Sequence, residues 1–221
     1  MYRMNPILVF DFDSTIARVE SLEVLAEYAL RNNAEKEDIL KKMKEITNLG
    51  MDGTIPYEES LSRRMPLLSL TASDVHAFAP TMTKYVTRSF NEHVDFFTQH
   101  ADTIYVVSGG FDDLIFPVTD MLSIPRSHVF ANNFVYDIEG RVVGVDTMRP
   151  ASRKGGKAEQ IRSLGLTGKI YMVGDGMTDY DVKRQGVAST FIAYTEHARR
   201  EPVVAVADHE ITDFAQLLKL L

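Results

Sequence analysis

The chain has 221 residues, 45% of them hydrophobic, which suits one large domain or a core with a smaller insert. Its 31 acidic against 24 basic residues give a formal charge of -7, which disfavours nucleic-acid backbones and anionic membranes as partners but leaves a small anionic substrate open. With no cysteine, disulfides, zinc-thiolate sites and thiol nucleophiles are excluded.

No stretch approaches the ~18 apolar residues of a membrane span. The start, Met1-Tyr2-Arg3-Met4-Asn5-Pro6, enters a strand too soon for a signal peptide, so a cytoplasmic location is expected by default. The apolar run Ile7-Leu8-Val9-Phe10 predicts a buried strand. Directly after it come Asp11 and Asp13, which alternation along a strand places on one face. Two such carboxylates repel and lose hydration, and a cation between them or a shared proton relieves the conflict. The pair therefore reads as a catalytic or metal site.

From about residue 18 to 83 no strand is predicted. Leu22, Leu25, Ala26 and Ala29 mark one helical face, and Ile39, Leu40, Met43 and Ile46 another. More helix is expected over Tyr57–Arg64 and 73–78. An all-helical insert so placed can lie over the acidic strand end as a cap. Helix is expected over 86–99 and 156–164, and strands over 103–107, 169–173 and 187–193. Residues 133–137 and 141–145, around Glu139-Gly140, alternate like a β-hairpin. Strands alternating with helices predict a mostly parallel sheet covered on both faces, with ligands at the carboxyl ends of its strands.

Three further strand ends carry chemistry. Ser108-Gly109-Gly110-Phe111-Asp112 reads as a glycine turn opening a helix, offering amides and a hydroxyl to an anion. Gly174-Asp175-Gly176-Met177-Thr178-Asp179 places more carboxylates at a strand end. Thr178 with Asp181 predicts a capping box, closed by Gly186, which leaves Asp175 unexplained. Lys154-Gly155-Gly156-Lys157 opens a helix with charge of the wrong sign for a helix N-terminus, which points to a compensating anion. Three carboxylates suit Mg²⁺, while a hydroxyl, amides and a lysine suit phosphate oxygens. An aspartate nucleophile suits phosphoryl transfer.

In order and spacing, Asp11-Phe12-Asp13-Ser14-Thr15, Ser108-Gly109-Gly110, Lys154 and Gly174-Asp175-Gly176-Met177-Thr178-Asp179 resemble the four motifs of the haloacid dehalogenase-like hydrolases. The nearest likeness, covering almost the whole chain, is to the phosphoserine phosphatase subfamily. The resemblance implies a Rossmann-like α/β core over 1–17 and 84–221, with a helical cap over 18–83. It implies a Mg²⁺-dependent phosphomonoesterase in which Asp11 is the nucleophile and Asp13 the acid and base. Asp11, Asp175 and the Asp13 carbonyl would hold the metal, with Asp179 supporting the lysine or the metal. Ser108, Gly109 and Lys154 would grip phosphate. The alternative lysine is Lys157, but alignment with the family's Lys-Gly favours Lys154.

Glu20 stands in the place of the family's amine-binding glutamate and Arg64 in that of its carboxylate-binding arginine. Thr178, where many members have asparagine, joins the substrate-binding set. A small phosphorylated metabolite, acted on by a monomer or homodimer, is the implied substrate. Another phosphate ester or a phosphotransfer reaction is compatible with the same motifs. A signalling receiver domain shares Asp11-x-Asp13 and a later lysine, but calls for neither the helical insert nor the Gly-Asp-x-x-x-Asp segment. A catalytically silent binding protein would not need every chemical position filled.

Overall fold

The structure, a computed structural model, describes residues 6–221. Met1–Asn5, part of the start read above as too short for a signal peptide, lie outside the described residues. In chain order the elements begin with β1 (Ile7–Phe10), followed by α1 (Ser21–Ala29), α2 (Lys36–Met51), α3 (Tyr57–Arg64) and α4 (Ala72–Phe78). The chain continues through α5 (Arg88–Asn91), α6 (Val94–Gln99), β2 (Ile104–Phe111), α7 (Asp112–Met121) and β3 (Val129–Asn132). After β4 (Phe134–Tyr136) and β5 (Val142–Val145) come α8 (Gly156–Ser163), β6 (Ile170–Gly174) and α9 (Met177–Arg184). The last elements are β7 (Thr190–Tyr194), α10 (Glu201–Val204), β8 (His209–Ile211) and α11 (Phe214–Leu218).

Six strands form one parallel sheet in the order β3-β2-β1-β6-β7-β8. β1 is central because all four of its residues are buried, and a strand flanked on both sides must hide both faces. Leu8 and Phe10 pack into one apolar cluster, Ile7 and Val9 into the other, as period-two alternation requires. On the first face Phe10 meets Phe90 at 5.5 Å between ring centroids, and Phe90 meets Phe214 at 4.9 Å. Each such fully buried ring contributes about 1.5–3 kcal/mol through removal from water. The chain passes from β1 to β2 on one side and to β6 on the other, so a crevice opens beyond the carboxyl end of β1.

The helical insert follows β1 as predicted and shares its core with the sheet. Leu22, Leu25, Met43, Leu61, Val75 and Phe78 belong to the same cluster as Phe10. It departs and returns side by side, with Ala17 bridging Val86 and Arg18 N–H donating to the Tyr85 carbonyl at 2.8 Å. Its far end is pinned by the antiparallel hairpin β4–β5: Ala72 N–H donates to Gly140 O at 2.8 Å and Val142 N–H to Leu70 O at 2.9 Å.

Several local expectations need correction. Helix over 86–99 is broken into α5 and α6, because the His93 backbone leaves helical geometry. Ser108-Gly109-Gly110 is not a turn: β2 runs through Phe111, which pairs with Asn132 across a register shift, and α7 starts at Asp112. β3 and β8 were not anticipated; they are edge strands of four and three residues, too short for periodicity to reveal. No helix among the described residues is long and apolar enough to cross a membrane.

Candidate active site

The crevice is a cleft of about 710 Å³ lined by residues of both the sheet and the insert, among them Asp11, Asp13, Glu20, Tyr57, Arg64, Ser108, Gly109, Lys157 and Thr178. β1 stops at Phe10, so Asp11 and Asp13 come from the tight turn after the strand rather than from one strand face. Within that turn Ser14 adopts φ 53°, a left-handed conformation that a serine holds only when its surroundings impose it. Its N–H donates to Val19 O at 3.2 Å and its hydroxyl to Glu20 Oε1 at 2.7 Å, tying this turn to the first residues of the insert.

Asp11 is 3% exposed. One carboxylate oxygen accepts the Phe12 N–H at 2.7 Å, and the other lies 2.8 Å from Lys157 Nζ. Asp13 turns toward the insert, accepting the Ser21 N–H at 2.9 Å and the Ser21 hydroxyl at 3.1 Å. Burial, with the Glu20 charge beside it, raises the Asp13 carboxyl well above the usual range, and the Ser21 hydrogen bonds offset this only in part. A carboxyl so raised holds its proton further toward neutral pH, the state a proton donor needs.

The lysine of the site is Lys157, not Lys154. Lys154 is exposed, whereas Lys157 is 8% exposed and also meets Asp179 Oδ1 at 2.7 Å. Gly155, at φ 74°, makes the turn into α8, and a Cβ on Gly156 would collide with the Pro150 carbonyl. These two glycines seat Lys157 in the first turn of α8, on the buried side that also carries Ile161 four residues on. Burial alone would lower its pKa, but Asp11 and Asp179 together raise it, so the ammonium persists. The anion that compensates a lysine at a helix N-terminus is thus a pair of the protein's own carboxylates.

Asp175 follows β6 directly and is 1% exposed; burial pushes its carboxyl up, against the pull of Arg200. Arg200 donates to Asp175 Oδ2 and stands 3.8 Å from Asp52 and 4.0 Å from Glu20. Sequence reasoning missed it, since nothing local distinguishes Arg200 from its exposed neighbour Arg199. Asp179 is fully buried, its carboxyl pushed up to about 7 by burial despite Lys157, and it accepts the Gly176 N–H at 3.0 Å. That single contact caps α9, since Gly176 has no side chain to reciprocate, and it stands in place of the expected Thr178–Asp181 capping box; Gly186, at φ 70°, closes the helix as expected. Thr178 is freed to line the cleft.

Asp11, Asp175 and Asp179 offer carboxylate oxygens within 4.8 Å of one another. Asp175 Oδ1 is buried with no hydrogen-bond partner among the described residues. An oxygen-only donor set with one orphaned buried carboxylate oxygen fits a hard divalent cation. The Asp13 carboxylate is not part of this trio and faces Ser21 instead.

On β2, Ser108 is 1% exposed and its Oγ accepts the Gly110 N–H at 3.0 Å. On α3, Arg64 is 5% exposed; its Nη1 donates to Thr47 Oγ1 at 3.2 Å and its Nε to Ser60 O at 3.3 Å. Among the described residues no carboxylate lies within 4.0 Å of it, an unusual state for a buried guanidinium.

An aspartate turn after the central strand, a serine beside a glycine pair, a buried lysine and a Gly-Asp strand end, gathered at the switch point of a parallel sheet, describe a phosphoryl-transfer hydrolase. The chain belongs to the haloacid dehalogenase-like hydrolases, whose sequence model matches residues 8–184. Within them its likeness is to phosphoserine phosphatases. It is 34% identical to the chloroplastic phosphoserine phosphatase of Arabidopsis thaliana, over all of this chain and 73% of that one. A phosphoserine phosphohydrolase-like protein from Francisella tularensis superposes with a TM-score of 0.89 at 32% identity, covering 98% of this chain and 100% of the other. A phospho-aspartyl intermediate analogue of phosphoserine phosphatase superposes with a TM-score of 0.77 at 25% identity, covering 99% and 100%.

Proposed function

We propose that the chain hydrolyses L-phosphoserine to L-serine and phosphate, with residues 18–83 acting as the cap that selects the substrate. The observation that carries this is Arg64: a buried guanidinium with no carboxylate within 4.0 Å among the described residues, Glu23 acting on it only as a more distant charge, lining the cleft that also holds Asp11 and Glu20. Burying such a charge unpaired costs several kcal/mol, which a substrate carboxylate held at two points would offset. Glu20 supplies the opposite sign for the ammonium.

The placement of the cleft residues supports the following chemistry. An Asp11 carboxylate oxygen attacks phosphorus, forming an acyl phosphate as the ester P–O bond breaks. Asp13 gives its proton to the departing serine alkoxide. It then takes a proton from the water that cleaves the acyl phosphate, releasing phosphate and restoring Asp11. Ser108, the Gly109 amide and Lys157 hold the phosphoryl oxygens, with Lys157 kept in place by Asp179. Mg²⁺, held by Asp11, Asp175 and the Asp13 carbonyl, would supply positive charge against the phosphate that otherwise repels the nucleophile.

Arg64→Ala is expected to weaken turnover of phosphoserine by about 2–5 kcal/mol in transition-state terms. Hydrolysis of a phosphate ester lacking both amine and carboxylate should stay within a few-fold of wild type. Initial rates on the two substrates decide it: equal losses on both, or a wild type that turns over phosphoserine poorly, would remove the substrate assignment and leave the phosphatase.

Asp13→Asn gives a separate readout on the acid. It should slow serine-like alkyl phosphates about 10²–10⁴-fold, the span of general acid catalysis, and p-nitrophenyl phosphate much less, because nitrophenolate leaves without protonation. A common factor on both substrates would count against proton donation by Asp13.

A further inference from the structure

Tyr57 is the first residue of α3, in the insert, yet its hydroxyl donates to the carbonyl of Gly109 on the central sheet. Gly109 O also accepts Asn132 Nδ2 at 2.8 Å, from the end of β3. The carbonyl that receives both donors shares one peptide plane with the Gly110 N–H, which donates to Ser108 Oγ. The connection therefore runs from the insert through a rigid amide to the serine hydroxyl of the phosphate cradle. Because Ser108 Oγ accepts at that point, its own proton is left to be donated elsewhere, toward the cleft. Gly109 shows how closely the two parts meet: a Cβ there would lie 2.5 Å from Tyr57 Oη and 2.6 Å from Cζ. Burial pushes the Tyr57 phenol up to about 12, so it remains a donor across the working pH range.

We propose that the Tyr57 hydroxyl is a positioning residue for phosphate: seated on Gly109, it fixes the Gly109–Gly110 amide, and through it the Ser108 hydroxyl, in the orientation that grips a phosphoryl group. Seating of the insert is thereby coupled to phosphate affinity, since the donor comes from α3 and the responding hydroxyl from β2. Hydrogen bonds in series strengthen one another, so removing the first weakens the last. The inference rests on the phosphatase reading only in taking Ser108 as a phosphate ligand.

The test is calorimetric titration of inorganic phosphate, with magnesium present, into the wild type and Tyr57→Phe, which keeps the ring and deletes the hydroxyl. The dissociation constant for phosphate should rise about three- to tenfold, the range one neutral hydrogen bond supports. The unfolding midpoint without phosphate serves as the control for a purely structural role and should move by no more than about 2–4 °C, the shift that loss of one hydrogen bond accounts for in a chain of this size. Equal phosphate affinities would overturn the proposal, as would a loss of affinity that only tracks a matching loss of stability. Phosphoserine turnover by the wild type is scored separately, so failure of the substrate assignment is distinguishable from failure of the coupling.

Discussion

Replacing Asp11 with asparagine is expected to lower phosphate release by at least about 10⁴-fold, on the scale seen when a catalytic nucleophile is removed. The substitution keeps the shape of the side chain. Its amide oxygen can still accept the Phe12 N–H, and Lys157 retains Asp179 as a partner. The amide nitrogen then faces the Lys157 ammonium in place of a carboxylate oxygen, so the unfolding midpoint should fall, but the variant should stay folded and the far larger loss of turnover is chemical. Rapid acid quench with labelled substrate should trap phosphate on the wild-type protein, in an acyl linkage labile to hydroxylamine, and none on the variant. Unimpaired turnover by Asp11→Asn, or label that persists on it, would refute an aspartyl-phosphate at this position.

Lys157→Ala should produce the largest loss of stability of any single substitution in the site. It leaves Asp11 and Asp179 buried, at 3% and 0% exposure, without their shared ammonium. Breaking a buried ion pair from one side costs about 3–5 kcal/mol. The paired control is Lys154→Ala, which at an exposed position should change stability by no more than about 0.5 kcal/mol and leave turnover intact. Urea midpoints and rates for the two variants separate the lysines cleanly. If Lys154→Ala is the damaging change, the placement of Lys157 has no functional meaning.

The comparison of these two lysines shows where sequence reading succeeds and where it stops. Strand β1 was legible to the residue, because four consecutive apolar positions ending in two aspartates admit little else. Tyr57–Arg64 was expected as helix and is one over those same residues. Asp11 and Asp175 could be placed at strand ends because parallel α/β sheets gather their chemistry there, whereas Ser108, expected just past a strand, lies within β2, which runs on through Phe111. Lys154 was favoured because a Lys-Gly pair matches a motif in one dimension. What places Lys157 is three-dimensional: a left-handed Gly155 and the close approach of Gly156 to Pro150 fix the entry into the helix, which starts at Gly156 as expected, and turn the second lysine inward. The i, i+4 relation of Lys157 to the buried Ile161 was the signal available in the sequence.

Other contacts had no local signal at all. Arg200 reaches Asp175 from 25 residues away, and Tyr57 reaches Gly109 from 52. Both depend on how the sheet order brings separate segments to one crevice. The capping of α9 failed for a related reason: Asp179 serves Gly176 and Lys157 together, a double duty that a pairwise capping rule does not anticipate.

The central position of β1 has a consequence for how the enzyme comes into being. Its two neighbours begin pairing at Ile104 and Ile170, so β1 is flanked on one side long before the other. At ribosomal rates of about 5–20 residues per second, the turn after β1 waits roughly 10–30 s for the Asp175 strand to be made. Until then β1 can pair only with β2, and its other edge stays open, which makes that edge a segment for chaperones to shield. The carboxylates of the site come together only once the chain has been made past Asp175.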